Sequence, residues 1–139
     1  MSQPIAHHTG ITVSDLDAAI EFYTRLLDCT VETQFTVSGE ALGAAVKSDD
    51  VTGSFAHLDS GGTRIELVEY EPSGAPRTRA SLTQPGATHV AFSVDDVDAF
   101  VDDLSGEIER LSEPQTTESG TRIVFVRDPD GNLVELLEA

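Results

Sequence analysis

The amino-acid sequence predicts an α+β protein built from two tandem βαβββ modules. The first observation is an internal repeat, in which the segment HTGITVSDLDAAIEFYTRLL from His8 matches the segment HVAFSVDDVDAFVDDLSGEI from His89. Each segment passes from alternating apolar residues to apolar residues at helical spacing. The second observation is a second sequence match further along the chain, between RIELVE around Glu66 and LVELLE around Glu135. Because the two matching segments follow each other in the same order in both halves, one repeated module accounts for the whole chain.

The first module, about residues 5–70, is expected to open with a strand over about residues 5–13. Along this strand Ile11 and Val13 alternate with polar or small residues, as the period of two in a strand requires. His8 falls on the opposite face from these two aliphatic side chains. It is therefore expected to point away from the helix-covered core.

A helix is expected to follow and to end near Asp28, because apolar residues from Leu16 to Leu27 recur at helical spacing. Ser14 or Asp15 can accept the hydrogen bond that caps its first turn. Runs of β-branched and aromatic residues between Gly- and Ser-rich turns then predict three more strands. We expect them at residues 31–37, 54–59 and 63–70.

A proline-containing connector of about residues 71–85 leads to the second module, about residues 86–138, so that residues 1–139 make up a single domain. The turn Asp128-Pro129-Asp130-Gly131-Asn132 predicts a hairpin, since proline fixes φ and glycine supplies a positive φ. The expected elements of this module are a strand near 87–94, a helix at about 96–104, and strands near 108–111, 121–127 and 133–138.

The charge balance is strongly acidic, with 25 Asp and Glu against 8 Lys and Arg and a net charge of −17. A surface of this sign repels phosphate backbones and anionic lipid headgroups, so we expect no nucleic-acid partner and no membrane partner. The acidic residues are scattered along the chain, and Lys47 is the only lysine. This composition resembles that of halophilic proteins, in which molar salt screens charges over about 3 Å.

The single cysteine, Cys29, excludes a disulfide within the chain and a cysteine-rich zinc site. It is expected to be a small buried apolar residue. The N-terminal residues lack a basic stretch followed by an apolar one, and no apolar run approaches the length of a membrane helix. We therefore expect a cytoplasmic protein.

Two histidines and two glutamates occupy matching positions in the two modules. By strand parity, His8, Glu66, His89 and Glu135 all lie opposite the aliphatic residues that face the helices. Two neutral nitrogens and two anionic oxygens form a suitable ligand set for a divalent first-row metal. If the two sheets face each other, the four side chains are expected to converge on one metal.

The two remaining histidines do not share this pattern. His7 has the opposite parity, and His57 has no histidine at the matching position of the second module. We expect both to be structural, or to act on a metal only through another residue.

The chain resembles the vicinal oxygen chelate superfamily, which includes glyoxalase I. The resemblance covers nearly the whole sequence and rests on the paired modules and on four motifs. These are HTGITVSDLDAAIEFYTRLLDC, RIELVEY, THVAFSVDDVDAF and VFVRDPDGNLVELLE. It implies a curved mixed sheet around a metal cavity, with one divalent ion (Ni, Zn, Mn, Co or Fe) held by His8, Glu66, His89 and Glu135.

The resemblance to glyoxalase I also implies a reaction, in which a proton moves next to a metal-chelated carbonyl by way of an enediolate. Glu135 and Glu66 would then be ligands that also act as catalytic bases. Arg64 and Arg122 are candidates to hold an anionic small-molecule substrate, although each can equally be a surface charge partner in an acidic protein. A homodimer is expected as well.

Other activities of the superfamily remain open, because the fold does not choose the reaction. A methylmalonyl-CoA epimerase-like enzyme would use the same chemistry on a similar ligand set. Extradiol dioxygenases and fosfomycin-resistance thiol transferases use two histidines and one glutamate, so Glu66 as a fourth ligand argues mildly against both. A bleomycin-resistance-type protein would bind a small molecule without these ligands or catalysis.

Overall fold

The computed structural model describes residues 3–139, which form two compact units that meet in sequence at Pro76 and Arg77. This boundary lies within the connector predicted at residues 71–85. Each unit contains one four-stranded sheet with the order first, last, third and second strand of that unit. In both units the first strand runs parallel to the last strand, and the other pairs are antiparallel. The predicted α+β class with tandem βαβββ modules is thereby confirmed.

The first unit follows the predicted order with one additional helix. Its strands are β1 (Thr9–Thr12), β2 (Thr30–Val37), β3 (Thr52–Asp59) and β4 (Arg64–Glu71). Its helices are α1 (Leu16–Glu21), which continues as a π-helical turn over Phe22–Leu26, and α2 (Glu40–Val46). The helix α2, which begins after Gly39 at a φ of 104°, was not predicted from the sequence.

The second unit repeats this arrangement in a shorter form. Its elements are β5 (His89–Ser93), α3 (Val97–Asp102), β6 (Gln115–Thr116), β7 (Arg122–Arg127) and β8 (Leu133–Glu138). The strand predicted at residues 108–111 is wrong, because that segment makes only an isolated bridge between Arg110 and Val126. The edge strand of this sheet is instead the two-residue β6.

Matching side chains begin the first helix of each unit. Asp15 accepts a hydrogen bond from the Ala18 N–H at 3.1 Å, and Asp96 accepts one from the Ala99 N–H at 3.0 Å. Asp15, rather than Ser14, is therefore the helix cap. The π-helical turn that continues α1 gives way to β2 after Asp28, whose φ of 57° is left-handed.

The hydrophobic core of each unit lies between its helix and one face of its sheet. In the first unit α1 packs on β3 and β4, and Ile65 and Leu67 of β4 are completely buried. In the second unit α3 packs on β7 and β8, where Val134 and Leu136 are completely buried. Because side chains alternate along a strand, the residue between each buried pair points to the opposite face. Those two residues are Glu66 and Glu135.

The Asp128–Asn132 turn joins β7 to β8 as predicted. The Asp128 carboxylate accepts hydrogen bonds from the backbone N–H groups of Asp130 and Asn132, at 2.9 and 2.8 Å. Gly131 has a φ of 84°, and a Cβ there would lie 2.7 Å from Nε of Arg79. Glycine is therefore favoured at this position, because it adopts a positive φ without strain and has no Cβ to collide with Arg79. Within residues 3–139, no helix combines the length and hydrophobicity needed to cross a membrane.

Candidate metal centre

In the first unit, two imidazoles approach one carboxylate. His57 of β3 lies directly opposite Glu66 of β4, and His8 immediately precedes β1, which runs parallel to β4. His57 Nε2 lies 2.7 Å from Glu66 Oε2, and His8 Nε2 lies 3.4 Å from Glu66 Oε1. One potential ligand atom from each of the three residues fits within 4.8 Å of the others. They form a compact group of donors on the face opposite α1.

In the second unit, one imidazole approaches the equivalent carboxylate. His89 begins β5, and its Nε2 lies 3.2 Å from Oε1 of Glu135 on the neighbouring β8. The residue directly opposite Glu135 on β7 is Phe125, whose ring centroid lies 5.3 Å from that of His89. The carboxylate of the second unit thus lies between an imidazole and a phenyl ring. The first unit has a second imidazole at the place of that phenyl ring.

The separations between the paired His and Glu donors are compatible with metal binding. A nitrogen and an oxygen that both lie about 2.1 Å from one ion, at roughly a right angle, are about 3 Å apart. The His8–Glu66 and His89–Glu135 donor pairs are separated by 3.4 and 3.2 Å. Both pairs are only partly exposed, with the glutamate side chains at 14% and 16%. Each pair therefore offers mixed nitrogen and oxygen donors of the kind that divalent first-row metals accept.

His57, expected from the sequence to be structural or to act on a metal only through another residue, lies beside a proposed ligand. It has no histidine counterpart in the second unit, because Phe125 takes the equivalent place opposite the carboxylate. The hairpin register contains a signal that could have found it. With the β3–β4 turn centred between Asp59 and Arg64, the residue paired with Glu66 is His57.

His7 and Arg64 form a chain of polar contacts that reaches His8. Nδ1 of His7 lies 2.8 Å from Nδ1 of His8, and Arg64 donates to Nε2 of His7 at 3.1 Å. Arg64 also forms an ion pair with Glu32 at 3.3 Å. A cavity of about 420 Å³ opens beside these residues, with Asp59 in its lining. Arg64 is thus a side chain beside His8 that a substrate could reach, and its role as a clamp stays a prediction.

Arg122, the second candidate to hold an anionic substrate, lies on the opposite face of the sheet from Glu135. It pairs in register with Glu138, whereas Glu135 pairs with Phe125, so Arg122 and Glu135 occupy opposite faces of the sheet. Its guanidinium donates two hydrogen bonds to Asp98 of α3, at 2.7 and 2.8 Å. Arg122 is therefore a poor candidate for a clamp beside Glu135 and acts as a tie between sheet and helix.

Cys29 is 5% exposed. Burial, together with the nearby Asp28 and Asp59 carboxylates, raises the pKa of its thiol to about 11. The thiol is protonated at neutral pH and is therefore a weak nucleophile. This agrees with the structural role predicted from the sequence.

Residues 5–136 match the family model described as the glyoxalase, bleomycin resistance protein and dioxygenase superfamily. The chain belongs to this superfamily. The resemblance seen in the sequence motifs is confirmed. A glyoxalase family protein from Bacillus cereus superimposes with a TM-score of 0.87 at 26% identity, covering 99% of this chain and 95% of that one.

Two curated proteins are similar to this chain over most of its length. A 2-epi-5-epi-valiolone epimerase from Actinomyces sp. is 32% identical over 143 residues, which cover 94% of this chain and 77% of the relative. A probable lactoylglutathione lyase from Vibrio cholerae is 30% identical over 140 residues, which cover 94% and 88%. Both relatives are named as enzymes, and their names point to two different reactions.

Proposed function

We propose that the protein is a metal-dependent lyase or isomerase of the glyoxalase I type, which moves a proton at a carbon next to a carbonyl group. The observation that carries this proposal is the pairing of one glutamate with one histidine at equivalent places in both units. Superfamily membership supports a glyoxalase-like or epimerase-like enzyme, and similarity to a probable lactoylglutathione lyase supports the finer choice.

The proposed metal ligands are His8, Glu66, His89 and Glu135, with one divalent ion (Ni, Zn, Mn, Co or Fe) for each set of four. The donor set fits such an ion, since it provides two neutral nitrogens and two carboxylates. When bound, the ion supplies a Lewis acid that polarises the substrate carbonyl.

The glutamates provide the acid–base groups of the proposed reaction. Glu135 takes the proton from the carbon next to the carbonyl, and its protonated carboxyl group then delivers a proton to the adjacent carbon. The carboxylate lies opposite Phe125, and its side chain is 16% exposed, so few water molecules surround it. The few water molecules that reach the carboxyl group can exchange the proton it has taken, so that deuterated water labels the product.

A second candidate function is epimerisation, in which the proton is removed from a carbon and a proton is delivered to the opposite face of the same carbon. The similarity to a 2-epi-5-epi-valiolone epimerase favours it. Two carboxylates serve this reaction well, because one can take the proton on one face while the other delivers it on the opposite face. An epimerase acting on a methyl-branched acyl-CoA belongs to the same class.

Proton exchange with solvent tests both candidates at once. The protein would be stripped of metal, loaded with each divalent ion in turn, and incubated in deuterated water at molar KCl with 2-oxoaldehyde–thiol adducts and branched acyl-CoA esters. Deuterium incorporation next to the carbonyl, followed by NMR, supports the proposal, and the product distinguishes isomerisation from epimerisation. Stoichiometric metal without exchange, together with O₂-dependent cleavage of aromatic diols, would favour a dioxygenase. Failure to bind any metal would favour a drug-binding protein.

The homodimer and the halophilic character are parts of the same proposal. Light scattering coupled to gel filtration at molar KCl should give twice the 14.8 kDa mass of one chain. A mass of one chain at all concentrations would contradict the dimer.

A further inference from the structure

The third strand of each sheet places a different residue opposite the candidate catalytic carboxylate. In the first unit this residue is His57, opposite Glu66, and in the second unit it is Phe125, opposite Glu135. The backbone pairing is the same in both cases. The two carboxylates therefore differ chiefly in this neighbour, which can donate a hydrogen bond only in the first unit.

The contact between His57 and Glu66 has the geometry of a hydrogen bond. Its N···O distance of 2.7 Å falls in the range of strong N–H···O bonds to a carboxylate. Both side chains are largely buried, at 13% and 14% exposed, so water competes weakly for the bond. The contact uses Oε2 of Glu66, whereas Oε1 faces Nε2 of His8 at 3.4 Å. The carboxylate thus has one oxygen turned to each imidazole.

Aromatic packing fixes the orientation of the His57 ring. Phe35 of β2 meets it nearly perpendicularly, with ring centroids 5.1 Å apart and an angle of 88°. Phe35 is itself stacked on Phe55, at 5.0 Å and 6°. Such contacts restrict the rotamers of the imidazole. His57 can therefore present Nε2 to Glu66 without reorganising.

We propose that His57 is a positioning residue, which donates its Nε2–H to Oε2 of Glu66 and keeps Oε1 directed towards His8. This role makes Glu66 the fixed carboxylate of the protein. Glu135 lies opposite Phe125, which has no hydrogen-bond donor to hold its carboxylate in the same way. The distinction between a fixed ligand and a mobile base rests on the function proposed above, but the hydrogen bond itself does not.

The first test uses the metal-free protein. The chain has four histidines, so long-range ¹H–¹⁵N spectra can be assigned ring by ring with single variants. His57 should carry its proton on Nε2, and Glu66→Leu should shift that nitrogen signal. The matched variant Glu135→Leu removes the equivalent carboxylate of the second unit and should leave the signal in place. An unprotonated Nε2, or a signal that ignores Glu66→Leu, would overturn the proposal.

The second test measures metal affinity by calorimetry, together with thermal stability. His57→Phe gives the first unit the residue of the second and should weaken metal binding about 10- to 100-fold, the usual cost of losing a hydrogen bond to a ligand. His57→Gln keeps a donor near the position of Nε2 and should recover most of that affinity. Thr33→Val changes the residue paired with His57 on β2 and serves as the control. Equal losses in the Phe and Gln variants would overturn the positioning role and leave His57 as a packing residue or a direct metal ligand.

The two proposals fail separately in these experiments. Wild-type protein that binds metal and shows the His57 signature, but catalyses no proton exchange, would contradict the proposed function and leave the role of His57 intact. If the wild-type protein catalyses proton exchange but His57→Phe binds metal with unaltered affinity, the proposed function stands and the positioning role of His57 is contradicted. If no metal binds to the wild-type protein, the imidazole spectra alone decide whether His57 holds Glu66.

Discussion

Glu69 accepts a hydrogen bond from the backbone N–H of Leu16, with an N···O distance of 2.7 Å. Glu138 does the same for Val97 in the second unit, at 2.8 Å. Each bond ties the last strand of a sheet to the first turn of the helix that covers it. The negative charge of each carboxylate is also favourable at the positive N-terminal end of the helix dipole. The second glutamate of the repeated motif therefore lies on the helix side of the sheet and stabilises the packing of helix on sheet.

Replacing Glu69 by alanine should destabilise the first unit while sparing the candidate metal donors. The partly buried Leu16 N–H would lose its partner, at a cost of about 1–3 kcal/mol. Chemical denaturation followed by circular dichroism measures this loss. Glu71→Ala, at the exposed end of the same strand, is the matched control and should behave like the wild type. If both variants unfold alike, the Leu16 contact contributes nothing to stability.

Much of the fold could be predicted because hydrophobic periodicity and the repeat support each other. The β8 strand was predicted at residues 133–138 and observed at Leu133–Glu138, since Val134 and Leu136 are completely buried on its helix side. The errors lie at the sheet edges, where burial imposes no pattern. The segment at 108–111 makes one bridge, and both residues of β6 are exposed. The α2 helix was missed because only Gly43 of its residues is buried.

The candidate site could be predicted in part for a related reason. Alternation along a strand identifies which face a residue takes, and it placed Glu66 and Glu135 opposite their buried neighbours. It does not show which residue lies across from them on the next strand. That depends on hairpin register, which pairs His57 with Glu66 and places Arg122 on the far face from Glu135. Pairing between strands is tertiary information, so alternative roles for these two residues stayed open at the level of the sequence.

Metal occupancy should depend on both histidines of the proposed ligand set. His8→Ala and His89→Ala each remove a neutral nitrogen donor, and metal content after dialysis should fall sharply in both variants. Arg25→Gln is a suitable control, because Arg25 is exposed at the helix of the first unit and pairs with Glu21. Elemental analysis gives the occupancy. Wild-type occupancy in both alanine variants would remove these histidines from the ligand set.

Stability should rise steeply with salt concentration. A net charge of −17 on 139 residues repels itself most strongly when the screening length exceeds the spacing of surface charges. That length falls from about 10 Å at 0.1 M salt to about 3 Å at 1 M. Melting temperatures from tens of millimolar to molar KCl provide the measurement. A flat melting temperature would show that the acidic surface does not limit stability and would contradict the halophilic proposal.

The Asp98–Arg122 pair should stabilise the second unit at neutral pH and lose this effect at strongly acidic pH. The hydrogen bonds from Arg122 lower the pKa of the Asp98 carboxyl below its ordinary value. A lowered folded-state pKa adds stability that is present above the unfolded pKa, about 3.9, and is lost as the pH falls through the folded value. Asp98→Asn should therefore be less stable than wild type at pH 6, and the two should converge under acid. A difference that persists unchanged at pH 2 would rule out the ion pair as its source.

Glu135→Gln should separate the role of this residue in catalysis from its role in metal binding. The amide retains an oxygen donor beside His89 but cannot take up a proton, so measurable metal should remain while the rate falls by roughly 10²- to 10⁴-fold. Glu66→Gln is the matched variant in the other module. It keeps an oxygen that can accept the His57 hydrogen bond, and it should lose less activity if Glu66 is the fixed carboxylate. Single-turnover proton exchange in deuterated water measures both rates on whichever substrate the screen reveals. Near-wild-type exchange in Glu135→Gln would make Glu135 a ligand alone, and a larger loss in Glu66→Gln would assign the mobile base to the first module instead.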